Sequence, residues 1–426
     1  MIGLLRDRDF ALLWAGQSVS QLGTAVTYLA FPLVAVVALD ASAFQVSLVA
    51  AASTAAWLVV GLPAGAWVDR APGRPLLIGA DLGRAVLIAA VPAAWALDVL
   101  TLGYLALVAF AVGVLTVIFD VGYPAFLPSV VSRERLVDGN GALAASESAA
   151  TIAGPGLGGL LVQAAGAPFA LLADALSFLV SAAGLAAMRT RTPPRPRRPA
   201  RRRLSQEIIV GLRHVRSHTL VRTIAVTSAL ANFVFGGYEA VLLVFLARQV
   251  GLSPALIGGL LALSSTGGLL GAVVAAPLSR WAGDARVLSG AALAMAAAGL
   301  VIPLTGKGGN LLWYVAGAFV LTLGAAVFNV CARAAIQVAT PEAVLGRVSA
   351  SVRLLGRVTM PLGAVAAGTV AGVSTPRTAL VIFMVLLAVV PAWLLVSPLG
   401  RQVDDSESGQ DSEQIDGHLD GRHTGR

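Results

Sequence analysis

PFALLADALSFLVSAAGLAAMRTRTPPRPRRPARRR, Pro168 to Arg203, joins an apolar run to a stretch crowded with arginine and proline. A hydrocarbon core about 30 Å thick needs roughly 20 helical residues to cross it. Unpaired peptide groups inside that core exclude open irregular backbone. The run 168–188 therefore reads as a transmembrane helix, and the arginine-rich stretch after it as the exit into water. Five similar runs precede it, at 12–38, 44–67, 76–97, 101–122 and 141–165. Six more come after it, at 222–247, 254–278, 287–305, 310–335, 350–372 and 376–397. A mean hydropathy of +0.83, with 57% hydrophobic and 12% charged residues, excludes a water-facing globule. The expected fold class is all-α membrane protein, with twelve transmembrane helices in two pseudo-symmetric six-helix bundles.

The arginine-rich stretch divides the chain. Residues 1–188 are expected to form the N-terminal bundle and 222–398 the C-terminal one. Between them, 189–221 reads as a cytoplasmic linker with an amphipathic helix, and 399–426 as a disordered cytoplasmic tail. Residues 189–222 hold eleven Arg against one acid, Glu207, a local balance of +10 beside +8 for the whole chain. Pro193, Pro194, Pro196 and Pro199 keep the start of this linker extended. Ile208, Leu212 and Val215 then recur at helical spacing, as in a helix lying on a membrane surface. Basic cytoplasmic loops beside anionic lipid account for the arginines without nucleic acid. The tail from Gln402 onward carries seven acids and few apolar groups, a disordered composition.

Basic residues also set an orientation, because short cytoplasmic loops hold the Lys and Arg excess. Arg6, Arg8, Arg70, Arg74, Arg133, Arg135, the linker cluster, Arg280, Arg286, Arg347 and Arg401 fall on one side. Only Arg248, Lys307 and Arg377 fall on the other. Both termini are thus expected in the cytoplasm of a cell whose plasma (inner) membrane holds the chain. The first run is too long for a signal-peptide core and lacks a small-residue cleavage pattern, so it reads as retained. The halves repeat: Pro155 matches Pro361 at an offset of 206, and Asp69-Arg70 matches Ser279-Arg280 at 210. Two such halves joined by a long connection are how many transporters are built, with substrate at the midplane between them.

GLPAGAWVDRAPGR, Gly61 to Arg74, resembles the loop signature of the major facilitator superfamily. The resemblance implies that Asp69, Arg70 and Arg74 form a charge latch with helices of the other half. ATIAGPGLGGLL, Ala150 to Leu161, resembles the Gly-Pro motif of that superfamily's drug:proton antiporters. Its Gly154, Pro155, Gly158 and Gly159 bend a helix and let a neighbour approach. FDVGYPAFLPSVV (Phe119–Val131), LLADALSFLVSA (Leu171–Ala182) and RAAIQVATPEAVLGRVSASVRLLG (Arg333–Gly356) are similar to the bacterial macrolide-efflux and siderophore-exporter-like proteins. Gly154, Gly156 and Gly159 also match a dinucleotide fingerprint, but no strand precedes them.

Charges inside apolar runs are the sharpest local clue, since an ion facing lipid costs at least about 2.5 kcal/mol and is usually turned inward for use. Four acids stand out. Glu239 near mid-depth and Asp174 on the sixth run are candidates for proton coupling or substrate binding. A carboxylic acid in low dielectric gains and loses protons nearer neutral pH, which supplies coupling without a cofactor; none is expected. Asp120 and Glu147 lie near the cytoplasmic ends of their runs and read as gate partners, with Arg333, Arg353 and Arg357 as counter-charges. The 206-residue offset places Glu147 opposite Arg353. Satisfied interhelical hydrogen bonds are the alternative for Glu239 and Asp174, and plain structural pairs for Asp120 and Glu147.

Other chemistry finds little support in the residues. His214, His218, His418 and His423 lie in the linker or tail, so no metal cluster is expected among the helices. No GxxxxGK[ST] loop is present to cradle a nucleotide. Tyr28, Phe31, Phe233, Phe235 and Tyr238 line either a substrate pocket or the core. The reading is a monomeric secondary efflux transporter, not an enzyme, exchanging protons for amphipathic small molecules among membrane lipids. An uptake symporter or uniporter, and a receptor or scaffold that moves nothing, remain the alternatives.

Overall fold

The computed structural model describes residues 4, 6–70, 73–189 and 204–397, and the described chain is helical throughout. Helix α1 spans Arg8–Leu33, α2 Ala43–Arg70, α3 Gly73–Ala96, α4 Leu102–Phe126, α5 Leu136–Ala165 and α6 Ala167–Ala187. The short α7, Leu204–Ser217, precedes α8 Thr219–Val244, α9 Pro254–Ala282, α10 Asp284–Val301 and α11 Leu311–Ala339. Then come α12 Glu342–Val373, α13 Pro376–Leu387 and α14 Val389–Val396, the last two making one broken span. Among the described residues, eleven segments are long and apolar enough to cross a membrane. The twelfth, α5, is 30 residues long but carries Asp138 and Glu147 among glycines and serines. It packs between α1 and α9 like its neighbours. Residues 190–203 of the expected linker, and the expected tail, lie outside the described residues.

Local chemistry sets the ends. Asp7 caps α1 by accepting from the amides of Asp9 and Phe10 at 3.0 and 3.2 Å, and Ser253 and Thr375 cap α9 and α13 likewise. At Gly166 and Gly283 the chain turns between helices with φ of 86° and 83°, a region that favours glycine. Each half opens on a helix that ends in a wide π turn, Val34–Ala38 after α1 and Phe245–Gln249 after α8. The matching position of these turns reflects the internal repeat.

Lipid tails give apolar helices no reason to pack by hydrophobicity alone, so close backbone approach and interhelical hydrogen bonds take over. Gly154 and Gly158 of α5 lie against Ala25 and Val26 of α1. Gly236 of α8 abuts Met360 of α12, and Gly363 of α12 abuts Phe233. Ser18 bonds Ser146 across α1 and α5 at 2.9 Å, and Thr359 donates to the Ala229 carbonyl across α12 and α8 at 2.9 Å. The first helix of each half is thus gripped by that half's fifth and last crossings. Helix α7 does more than lie on a membrane: Gly211 sits against Ser351 and the Arg347 carbonyl of α12, with Val215 buried and Leu212 exposed.

Candidate transport site

The two bundles touch at the face remote from the termini. Gly159 near the end of α5 meets Pro254, Ala255 and Gly258 at the start of α9, where a side chain on either glycine would collide with backbone. Gln163 accepts from the Ala255 amide there at 3.3 Å. Gly368 and Gly372, late in α12, lie against Ser47 and Phe44 at the start of α2. Arg248, in the turn after α8, donates to Asp40 at 2.6 Å and to the Val36 carbonyl at 2.7 Å, tying the two π-turn ends together.

Toward the opposite face the helices part around a cleft. Glu239 of α8 and Tyr28 of α1 are solvent-exposed, Tyr28 by 53%, although each lies inside its membrane span, Thr219–Gln249 and Arg8–Ala38. Protein nevertheless surrounds them, and the Tyr28 hydroxyl lies close to the Glu239 carboxylate. Behind them Tyr238 reaches Tyr314 of α11, which in turn reaches Ser264 of α9. A carboxylate beside a phenol hydroxyl suits a cationic or hydrogen-bonding ligand. Of the other aromatics, Phe233 stacks on Phe383 at 5.6 Å, Phe235 meets Tyr238 edge-on at 6.4 Å, and Phe31 is buried.

Asp174 is placed elsewhere. It is 1% exposed inside the N-terminal bundle, accepts from Ser177 at 3.1 Å, and packs against Gly23 of α1. Nearby, Asp81 and Arg84 of α3 form a buried ion pair one helical turn apart, with exposures of 0% and 4%. The Arg84 guanidinium lies between the rings of Phe119, at 4.4 Å, and Phe178, at 4.2 Å. Desolvated cation–π contacts are worth about 2 kcal/mol, which helps hold a charge that burial alone would expel.

The expected gate residues Asp120, Glu147, Arg333, Arg353 and Arg357 are all exposed, and among the described residues no ion pair joins them. Asp120 does lie within electrostatic reach of Arg84, Arg357 and Glu147. Arg357 stacks on Trp57 of α2 at 4.4 Å, so one of these arginines already contacts the other bundle. Asp69 and Arg70 end α2, and their side chains lie outside what is described. Arg74 donates to the Ala186 carbonyl at the end of α6.

The sequence profile of the Major Facilitator Superfamily matches residues 13–364. The chain belongs to that superfamily. Its members' two-bundle fold is also what the solved structures return. The nucleoside transporter NupG aligns with a TM-score of 0.72 at 10% identity, over 91% of this chain and 98% of that one. A bacterial homologue of the iron transporter ferroportin, in an inward-facing state, gives 0.71 at 17% identity, over 91% and 98%. Among curated relatives, the multidrug efflux pump Tap of Mycolicibacterium fortuitum is 30% identical over 416 residues, 93% of this chain and 96% of its own. The Tap of Mycobacterium tuberculosis H37Rv is 30% identical over 297 residues, 66% and 68% of the two chains. This chain is accordingly a multi-pass membrane transporter of small molecules and not an enzyme.

For a superfamily member, the residues that sequence reasoning missed are Asp81 and Arg84. The signal was present: an acid and an arginine three residues apart inside the run 76–97. A near-neutral pair is easily passed over when acids are sought singly, yet i, i+3 spacing is what lets the two meet on one helical face.

Proposed function

We propose that this superfamily member is an efflux carrier of amphipathic, preferentially cationic, small molecules, exchanging them for protons by alternating access. The cleft acid Glu239, facing Tyr28 between the bundles, is the observation that carries the reading. Arginine distribution supports a plasma-membrane orientation with both termini and α7 in the cytoplasm. In that orientation the face where α5 meets α9 and α2 meets α12 is external, and the cleft opens inward. Likeness to multidrug efflux pumps along nearly the whole chain favours export. A proton taken from outside by an acid in the cavity is released inward, substrate takes its place, and the return stroke carries it out. One charge crossing 100 mV yields about 2.3 kcal/mol, enough for useful accumulation.

Glu239 and Asp174 are the proposed coupling or substrate groups. Asp120, Glu147, Arg333, Arg353, Arg357 and the Asp69, Arg70 and Arg74 segment are the proposed cytoplasmic gate, closing when the cavity faces outward. Pro155 and its glycines are the proposed helix bend, and the working unit is proposed to be a monomer in lipid. The test uses purified protein in liposomes with an imposed pH gradient, screened with a cationic dye, a macrolide and a siderophore. Gradient-driven movement opposite to the protons is expected. Movement along with the protons would install uptake symport instead. Loss of activity on deleting 402–426 would favour a receptor or scaffold.

A further inference from the structure

The Asp81, Arg84 and Asp174 cluster is separate from the cleft and has a charge imbalance that its surroundings do not correct. Both carboxylates are buried and within electrostatic range of the same guanidinium and of each other. Each element packed around them leaves the imbalance in place. Between Phe10 and Ala38 the first span carries no charged residue, and its Thr27 hydroxyl, close to Asp174, is buried without a hydrogen-bond partner among the described residues. Helix α6 adds Ser177 beside Asp174 and Ser181 beside Asp81, and α4 adds, toward the cleft, Asp120, which Arg357 and Glu147 also face. Two acids facing one arginine are one proton short of neutrality, and unpaired charge is costly in low dielectric. A second observation points the same way. Asp81 Oδ2, Arg84 Nε and the Thr27 hydroxyl are buried without a hydrogen-bond partner among the described residues.

We propose that Asp81, Arg84 and Asp174 form a proton-binding site inside the N-terminal bundle, whose loading is relayed by Arg84 to Asp120 and Arg357 across the cleft. A proton from water adds to a carboxylate oxygen, Asp174 being the acceptor because Asp81 holds Arg84 directly. With the proton bound, Arg84 is neutralised by Asp81 alone. Once the proton leaves, two carboxylates compete for Arg84, its pull on Asp120 weakens, and Asp120 turns its charge to Arg357. Arg357 in turn rests on Trp57, so the site's state reaches the contact between bundles. This deepens the proton exchange proposed above and rests on it for the transport consequence only.

The test is infrared difference spectroscopy of the full-length protein in lipid as pH is raised through the range where exposed carboxylates are already ionised. One carboxylic-acid C=O band, identified by its deuterium shift, is expected to disappear. Either Asp81→Asn or Asp174→Asn should abolish that band, since each leaves one acid balanced by one arginine, while Glu239→Gln should keep it. A wild-type spectrum without the band, or a band surviving both Asn variants, overturns the site. The relay is read by the pH-dependent change in tryptophan emission that Trp57→Phe removes. That change should be flat in Asp174→Asn, and an unaltered response there overturns the relay. An intact band with no gradient-driven transport supports the site and removes the exchange reading instead.

Discussion

Among the described residues, the fully buried polar side chains of the N-terminal bundle include Asp81, Arg84 and Asp174, whereas those from α8 onward are Thr223, Thr227, Ser264, Thr305, Thr340, Ser351 and Ser397. The second set is all hydroxyl. Several satisfy themselves on a carbonyl three or four residues back, as Thr227 does on the Thr223 carbonyl at 2.8 Å and Ser264 on Leu260 at 2.7 Å. Such groups are largely indifferent to their neighbours. Charges behave otherwise, since each buried ion needs a partner on the same or another helix. One bundle therefore carries an interior whose energy depends on protonation, while the other is electrically quiet inside and turns its acid, Glu239, into the cleft.

The contrast is broken most severely by Arg84→Ala. It strands two buried carboxylates, at a cost of about 3–5 kcal/mol for a broken buried pair. Low folded yield and a reduced melting temperature are expected by thermal unfolding in detergent, and Arg84→Lys, which loses the stacked guanidinium plane, should recover only part. Glu239→Gln is next: the fold should melt normally, while binding of a cationic dye falls about tenfold or more, as for loss of a charge-assisted hydrogen bond. Equilibrium dye binding checks this, and an unchanged affinity would move the substrate out of the cleft.

Gly258→Leu sharpens the comparison at the contact the bundles share. Overpacking there costs about 1–3 kcal/mol and should part α5 from α9. Labelling of a Ser47→Cys reporter in a Cys331→Ser background should then rise from the side remote from the termini. The smallest effect is expected for Arg248→Ala. Its partner Asp40 has a 96% exposed side chain, and exposed pairs contribute about 0.2–1 kcal/mol. The same reporter should show a slight increase, reproduced by high salt in the wild type.

Much of the fold is legible in the sequence because hydrophobic run length is a one-dimensional property. The run boundaries anticipate α3, α6 and α9 closely. They fall short on α5 and α12, which extend to Leu136 and Glu342 through polar residues that no apolar window includes. The Gly154 to Gly159 stripe was readable as a close-contact surface, but not that Gly158 would face α1 while Gly159 faces α9 in the other bundle. Among the acids, a place inside an apolar run marked out both Glu239 and Asp174. Only packing separates them, one opening on the cleft and the other sealed beneath α1.

By itself the chain of residues determined that this is a membrane-spanning helical protein in two related halves, because bilayer thickness and backbone hydrogen bonding leave apolar runs no other form. It also held the motifs by which the family is recognised. Tertiary structure decided which face is closed, which acid meets solvent, and that Arg84 stands between Phe119 and Phe178 with two carboxylates in range. Those are facts about residues brought together from different helices. Electrostatic energy depends on such separations in space, and hydropathy along the chain does not encode them.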